Sequence, residues 1–231
     1  MLQNIKELYG NKLAASDGGI GFVKDFYFDD NTWVIRYLVV DTGTWLSDRK
    51  ILLTPHVFGA LDRDKNILSI KLTRKQIEDS PSIDSHRPVS RQYEQDYYRY
   101  YGWPGYWEGG GMWGVAGFPV IDEPPVEKKR PHHGHNQRDD VHLRSTKAVN
   151  GYKIHATDGM IGSIRSFMVD DKSWEIGELV VETGHWYSGK VILIPSLQIE
   201  RISYEESKIF VNFTRAAIQQ AADHDVVKIG G

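Results

Sequence analysis

The chain has 231 residues, a formal net charge of −3, 40% hydrophobic residues and no cysteine. Lack of cysteine excludes disulfides, thiolate metal sites and cysteine nucleophiles, the slightly acidic balance argues against nucleic acid or an anionic membrane as main partner, and without a run of about 18 apolar residues there is no candidate membrane-crossing helix. The opening segment, MLQNIKELYG, lacks the basic and apolar regions of a secretory signal, so the cytoplasm is the expected compartment.

In chain order, residues 4–9 read as one short helical turn: Asn4 can cap it, Glu7 stands three positions on as in a capping box, and Gly10 supplies a left-handed stop. Residues 12–15 and 20–29 are strand-like, joined by Ser16, Asp17, Gly18 and Gly19, where glycine permits a tight hairpin. Asp29, Asp30 and Asn31 make a second turn before a strand over residues 33–40. That strand is almost continuously apolar where a half-exposed strand would alternate, which predicts a central position covered on both sides. Residues 50–53 and 67–72 supply further strands, with a polar turn at 62–66. Thr73 caps a short helix, with Gln76 three residues on, and Pro81 ends it. Short strands at turn-rich spacing, closed by one small helix, argue for a small β-barrel.

A different composition follows. Over residues 89–101, Ser90 can cap a helix that places Tyr93, Tyr97 and Tyr100 or Tyr101 on one face, and Gly102 and Pro104 stop it. Trp103, Tyr106, Trp107, Trp113 and Phe118 lie around it. Each such ring buries roughly 150–250 Å² when packed, so the segment is expected to dock on a barrel; the competing expectation is an exposed site for a protein or carbohydrate. Residues 108–135 contain three successive glycines, a Pro-Pro pair, a basic triplet and His132, His133 and His135, and are expected to be mobile.

From residue 142 the first pattern returns. Asp17-Gly18-x-Ile20-Gly21 matches Asp158-Gly159-x-Ile161-Gly162, a constant offset of 141 residues that also carries Gly10 to Gly151, Phe26 to Phe167, Leu38 to Leu179 and Thr73-Arg74 to Thr214-Arg215. Only Pro55 and Pro195 fall one short of it, which suggests one loop residue lost and regained. The chain therefore reads as two copies of one domain, residues 1–81 and 142–231, flanking a linker at 82–141.

The segments DGxIG, FxxDDxTW, YLVVDTGxWL, KILLTP and LTRxQIxxSP between residues 10 and 81 resemble the PRC-barrel family, and residues 142 to about 222 resemble it a second time. This domain occurs in the cytoplasmic part of the photosynthetic reaction-centre H subunit, and a related barrel occurs in a ribosome-maturation protein. The resemblance implies a mainly β fold of two small PRC-type barrels, each with a short C-terminal helix, joined by an aromatic-rich, partly helical linker. Domains near 60 residues bury only about 60% of their unfolded surface and are marginal alone, so barrel-to-barrel packing as an intrachain pseudo-dimer, or linker packing, is expected to supplement each one.

Candidate chemistry is sparse. Gly109 to Gly114 satisfies a GxGxxG pattern but lacks the flanking strand and helix that a dinucleotide site needs. Asp62, Asp64 and Asn66 match the first oxygen positions of a calcium loop, yet Ile67 and Thr73 stand where its glycine and glutamate belong. The pairs Asp29-Asp30 and Asp170-Asp171 suit turns better than acid–base work, and Arg74 and Arg215 are read as partners of nearby carboxylates. His132, His133 and His135 are a minor option for a transition metal. No GxSxG, HExxH or GxxxxGK[ST] motif is present, so neither catalysis nor a cofactor is expected. Trp45 and Trp186 recur after the central strand, either closing the barrel mouth or anchoring a partner. With Tyr97, Tyr101, Trp103 and Trp107 they are the interface candidates.

The expected role is a non-enzymatic scaffold or adaptor for another protein. A membrane-associated complex is the partner that the reaction-centre resemblance implies, and a homo-oligomer is a further option. A small-ligand or metal-binding module and a ribosome- or RNA-associated factor are the alternatives, the last weakened by the absence of a basic stripe.

Overall fold

The computed structural model describes residues 1–46, 51–81, 91–103, 105, 142–187 and 189–218. As expected, the fold is mainly β, with two seven-stranded sheets and few helices. The first half supplies β1 (Leu2–Asn4), β2 (Lys12–Ala15), β3 (Gly18–Asp29), β4 (Ile35–Asp41), β5 (Ile51–Leu53), β6 (Phe58–Asp62), β7 (Ile67–Ile70) and α1 (Arg74–Glu78). The helix α2 (Arg91–Tyr101) follows. The second half runs β8 (Leu143–Ser145), α3 (Thr146–Val149), β9 (Lys153–Ala156), β10 (Gly159–Asp170), β11 (Ile176–Thr183), β12 (Val191–Pro195), β13 (Ile199–Ser203) and β14 (Lys208–Val211).

The sheets have the same order, β5-β4-β3-β2-β7-β6 and β12-β11-β10-β9-β14-β13. In each the pair formed by the second and seventh strands is parallel, β2 with β7 and β9 with β14, and the other ladders are antiparallel. The predicted hairpin of β2 and β3, the central position of β4 and the capped helix α1 are all present. The expected register slip at Pro55 is not. Val39 pairs with Leu52 and Val180 with Leu193, so the offset of 141 holds through β5 and β12, and Pro55 corresponds to Ser196 in matching 3-10 turns. The two prolines stand at neighbouring, non-equivalent positions of the same turn; the ladder decides the register.

The first strands of the two copies are exchanged. β1 pairs with β10 of the second sheet, and β8 pairs with β3 of the first. The long strands β3 and β10 outrun the four-residue strands β2 and β9, which leaves a stretch of edge open on each. An unpaired edge presents unsatisfied N–H and C=O groups, and the exchanged strand from the other half satisfies them.

A second joint lies at two tryptophans. Trp33 and Trp174 have φ of 58° and 57°, left-handed values that cost a bulky residue energy. Each is held by its turn, Trp33 N–H donating to Asp29 O at 2.8 Å and Trp174 N–H to Asp170 O at 3.0 Å. Their carbonyls then cross the boundary: Ile35 N–H donates to Trp174 O at 2.8 Å and Ile176 N–H to Trp33 O at 2.7 Å. Trp174 packs on Phe26 and Phe58 of the first half, and Phe28 touches both Trp33 and Phe167. One continuous core thus spans both sheets, which answers the marginal stability of a small sheet alone.

Candidate functional site

The outer face of β4 and β5 is where the linker helix sits. Tyr97 and Tyr98 of α2 are buried against Tyr37, Val39 and Leu52, with Tyr27, Tyr101, Trp103 and Leu143 packed around them. Tyr97 Oη donates to Leu52 O and Tyr37 Oη to Glu94 Oε1, both at 2.8 Å. Trp103 stacks on Tyr101 at 4.5 Å and reaches His56 at 5.7 Å. The interface candidates Tyr97, Tyr101 and Trp103 are therefore occupied within the molecule, as the docking expectation required. Of the alternatives Tyr100 and Tyr101 that helical spacing offered, Tyr101 packs inward and Tyr100 is exposed, and Tyr98 joins the buried set.

Trp45 is half-buried on the core with the Arg74 guanidinium 4.6 Å from its ring centroid. Trp186 lies in the 3-10 turn His185–Tyr187, and its side chain is outside the described residues. Trp107, the glycine run at 109–114 and His132, His133 and His135 also lie outside them. Among the described residues no three His, Asp or Glu side chains converge as a metal site.

The acids fasten turns and strand ends. Asp29 Oδ1 accepts from the amides of Asn31 and Thr32 at 2.9 and 3.0 Å, and Asp170 Oδ1 accepts from those of Lys172 and Ser173 at 2.9 Å each. The Ser173 amide and then the Met1 ammonium hold Asp170 well below the usual carboxylate range. Asp17 and Asp158 accept from the amides of Arg74 and Arg215 at 2.7 and 2.9 Å, tying each hairpin to the start of its helix. Asp62 Oδ1 accepts from the Lys65 amide at 3.0 Å, which employs it in the polar turn.

The second acid of each pair secures an exchanged strand. Asp171 Oδ1 receives the Met1 ammonium at 2.7 Å; Asp30 is bonded to His142 Nδ1 at 3.0 Å, Arg144 Nε at 3.3 Å and the Tyr204 hydroxyl. The Arg144 guanidinium lies 3.6 Å from the Tyr204 ring centroid, and burial, followed by Asp30, pushes the Tyr204 hydroxyl well above its ordinary pKa. Asp30, His142, Arg144 and Tyr204, with Glu200 and Arg201, line a groove of about 380 Å³ at the meeting of the halves. Its carboxylates and cations are interleaved, so the arrangement can fasten β8 and can also offer paired polar contacts to a small molecule.

Sequence reasoning missed one further surface. The counterparts of Leu143, Tyr27, Val39, Leu52 and His56, all beneath α2 or Trp103, are Leu2, Met168, Val180, Leu193 and Leu197. No described helix covers them: Leu2 is 42% exposed, Leu193 39% and Leu197 91%, and neighbouring Val191 is 53% exposed. The alternating burial of β11, against the continuous burial of β4, is the corresponding backbone signature. The signal was available in the sequence as Tyr37 replaced by Glu178, but only the location of α2 gives that replacement meaning. Compared with protein-family models and with curated proteins, the chain matches none.

Proposed function

We propose that the chain is a non-enzymatic scaffold or adaptor of the PRC-barrel type, residues 1–81 and 142–231 forming the two barrels around a linker at 82–141, and that it acts by binding another protein in the cytoplasm. The observation that carries this reading is the outer face of β11 and β12, where Leu193, Val191 and Leu197 stand exposed at or beside positions that the first half keeps covered. Contiguous exposed apolar side chains rimmed by polar ones mark interaction surfaces. The motif resemblance supports the barrel family and, through the reaction-centre subunit, a membrane-associated complex as partner; no helix among the described residues is long and apolar enough to cross a membrane.

Cross-linking of the tagged full chain in its native cells, followed by mass spectrometry, tests the proposal. The expected result is a stoichiometric protein partner linked through Lys190, adjacent to Val191. The absence of any such partner, with stabilisation by a metabolite instead, would overturn it. That outcome would favour a small-ligand module, for which the 380 Å³ groove is the specific observation; a ligand at 100 times its Kd adds about 2.7 kcal/mol.

A further inference from the structure

The two outer faces share one backbone plan and differ in charge. In the first half, α2 brings Glu94 onto Tyr37, whose hydroxyl donates to Glu94 Oε1 at 2.8 Å. In the second half the Tyr37 position is Glu178, on the same ladder: Tyr37 pairs with Tyr27, and Glu178 with Met168. Glu178 is half-buried and has no ion pair among the described residues, and Glu182, further along β11, is paired with Arg165. Around Glu178 lie Leu2, Val180 and Leu193, the counterparts of three side chains that α2 covers.

We propose that this face seats an amphipathic helix of a partner protein, carrying aromatic residues on its apolar side and a lysine or arginine opposed to Glu178. The proposal rests on the protein-binding reading above and names the occupant of that surface. The helical form follows from the first half, where the same pleat accepts α2 across β4 and β5. The cation follows from charge complementarity, because a half-buried carboxylate covered by a helix without a partner would be left desolvated and unpaired. A second copy of this chain is disfavoured by the same argument, since its α2 would set Glu94 against Glu178.

The probe is a synthetic peptide of residues 89–103, used unmodified and with Glu94→Lys, titrated against the full chain. The Glu94→Lys peptide should bind about tenfold more tightly than the unmodified one. A Glu178→Lys protein should reverse that preference, and Leu193→Asp should abolish binding of both peptides. The two positions are half-buried and exposed, and thermal unfolding checks that each variant remains folded; Leu193→Ala provides a milder version. Equal binding of the two peptides, or binding indifferent to Glu178→Lys and Leu193→Asp, would overturn the assignment, the latter by showing displacement of α2 instead. If neither peptide binds, the helix assignment fails while cross-links from Lys190 still report independently whether a protein partner exists.

Discussion

At position 37 the first sheet carries a tyrosine sealed beneath α2, and at the matching position 178 the second carries a glutamate on a face that no described helix covers. The strands around them have the same order, the same parallel pair and the same exchanged neighbour. Their difference therefore does not come from the backbone plan. It comes from a handful of outward side chains, Tyr27, Tyr37 and His56 against Met168, Glu178 and Leu197, which make one face the receptor of an aromatic helix and leave the other uncovered by any described helix. A repeat can conserve its core while its two surfaces take separate duties.

The sharpest way to test that contrast is to truncate both members of the pair. Tyr37→Ala removes a fully buried ring and its bond to Glu94 and is expected to lower unfolding stability by about 3–5 kcal/mol. Glu178→Ala should change it by less than about 0.5 kcal/mol. Urea denaturation measures both; equal losses would mean the two faces are not distinct.

A second test asks where the halves must remain alike. A Cβ at Gly21 would lie 2.0 Å from Asp41 O, and one at Gly162 2.0 Å from Glu182 O. Backbone cannot yield as a side chain does, so Gly21→Ala and Gly162→Ala are each expected to cost about 3 kcal/mol. A mild effect at one of them would break the equivalence of the two sheets.

Removing only the hydroxyl of Tyr97 sharpens the helix contact. Tyr97→Phe keeps the ring and loses the bond to Leu52 O, an expected cost of about 1 kcal/mol, accompanied by faster hydrogen exchange along α2.

The smallest effect is a pH dependence confined to the covered face. Burial, followed by Lys71, lowers the His56 pKa from 6.5 to about 4. The unfolded chain therefore binds the proton first as pH falls, so this contribution to stability is intact above about pH 6.5 and is lost as pH drops toward 4. His56 is partly exposed, which reduces the size of the effect. The thermal midpoint should fall by a few degrees across that window and fall less in His56→Asn, whereas Leu197, its counterpart, has nothing to titrate.

Local chemistry was legible where it acts locally. Glycine at Gly18 and Gly19 announced the β2–β3 hairpin, Thr73 and Gln76 the capped α1, and the nearly continuous apolar run of β4, interrupted at Arg36, its coverage on both sides, as the structure bears out. The recurrence of Gly21 was legible too, but its cause was not: the residue admits a neighbouring carbonyl, a contact between strands and not a demand of the hairpin turn.

From the sequence by itself came the repeat, the mainly β class and the docking of an aromatic linker, because hydrophobic period and turn residues are written along the chain. Only the tertiary structure decided that β1 and β8 trade sheets, that Trp33 and Trp174 turn left-handed to join the halves, and that α2 covers one face and not its twin. Strands of three residues have no period to read. Which open edge or face they and the helix satisfy is set by competition among distant surfaces of the folded molecule.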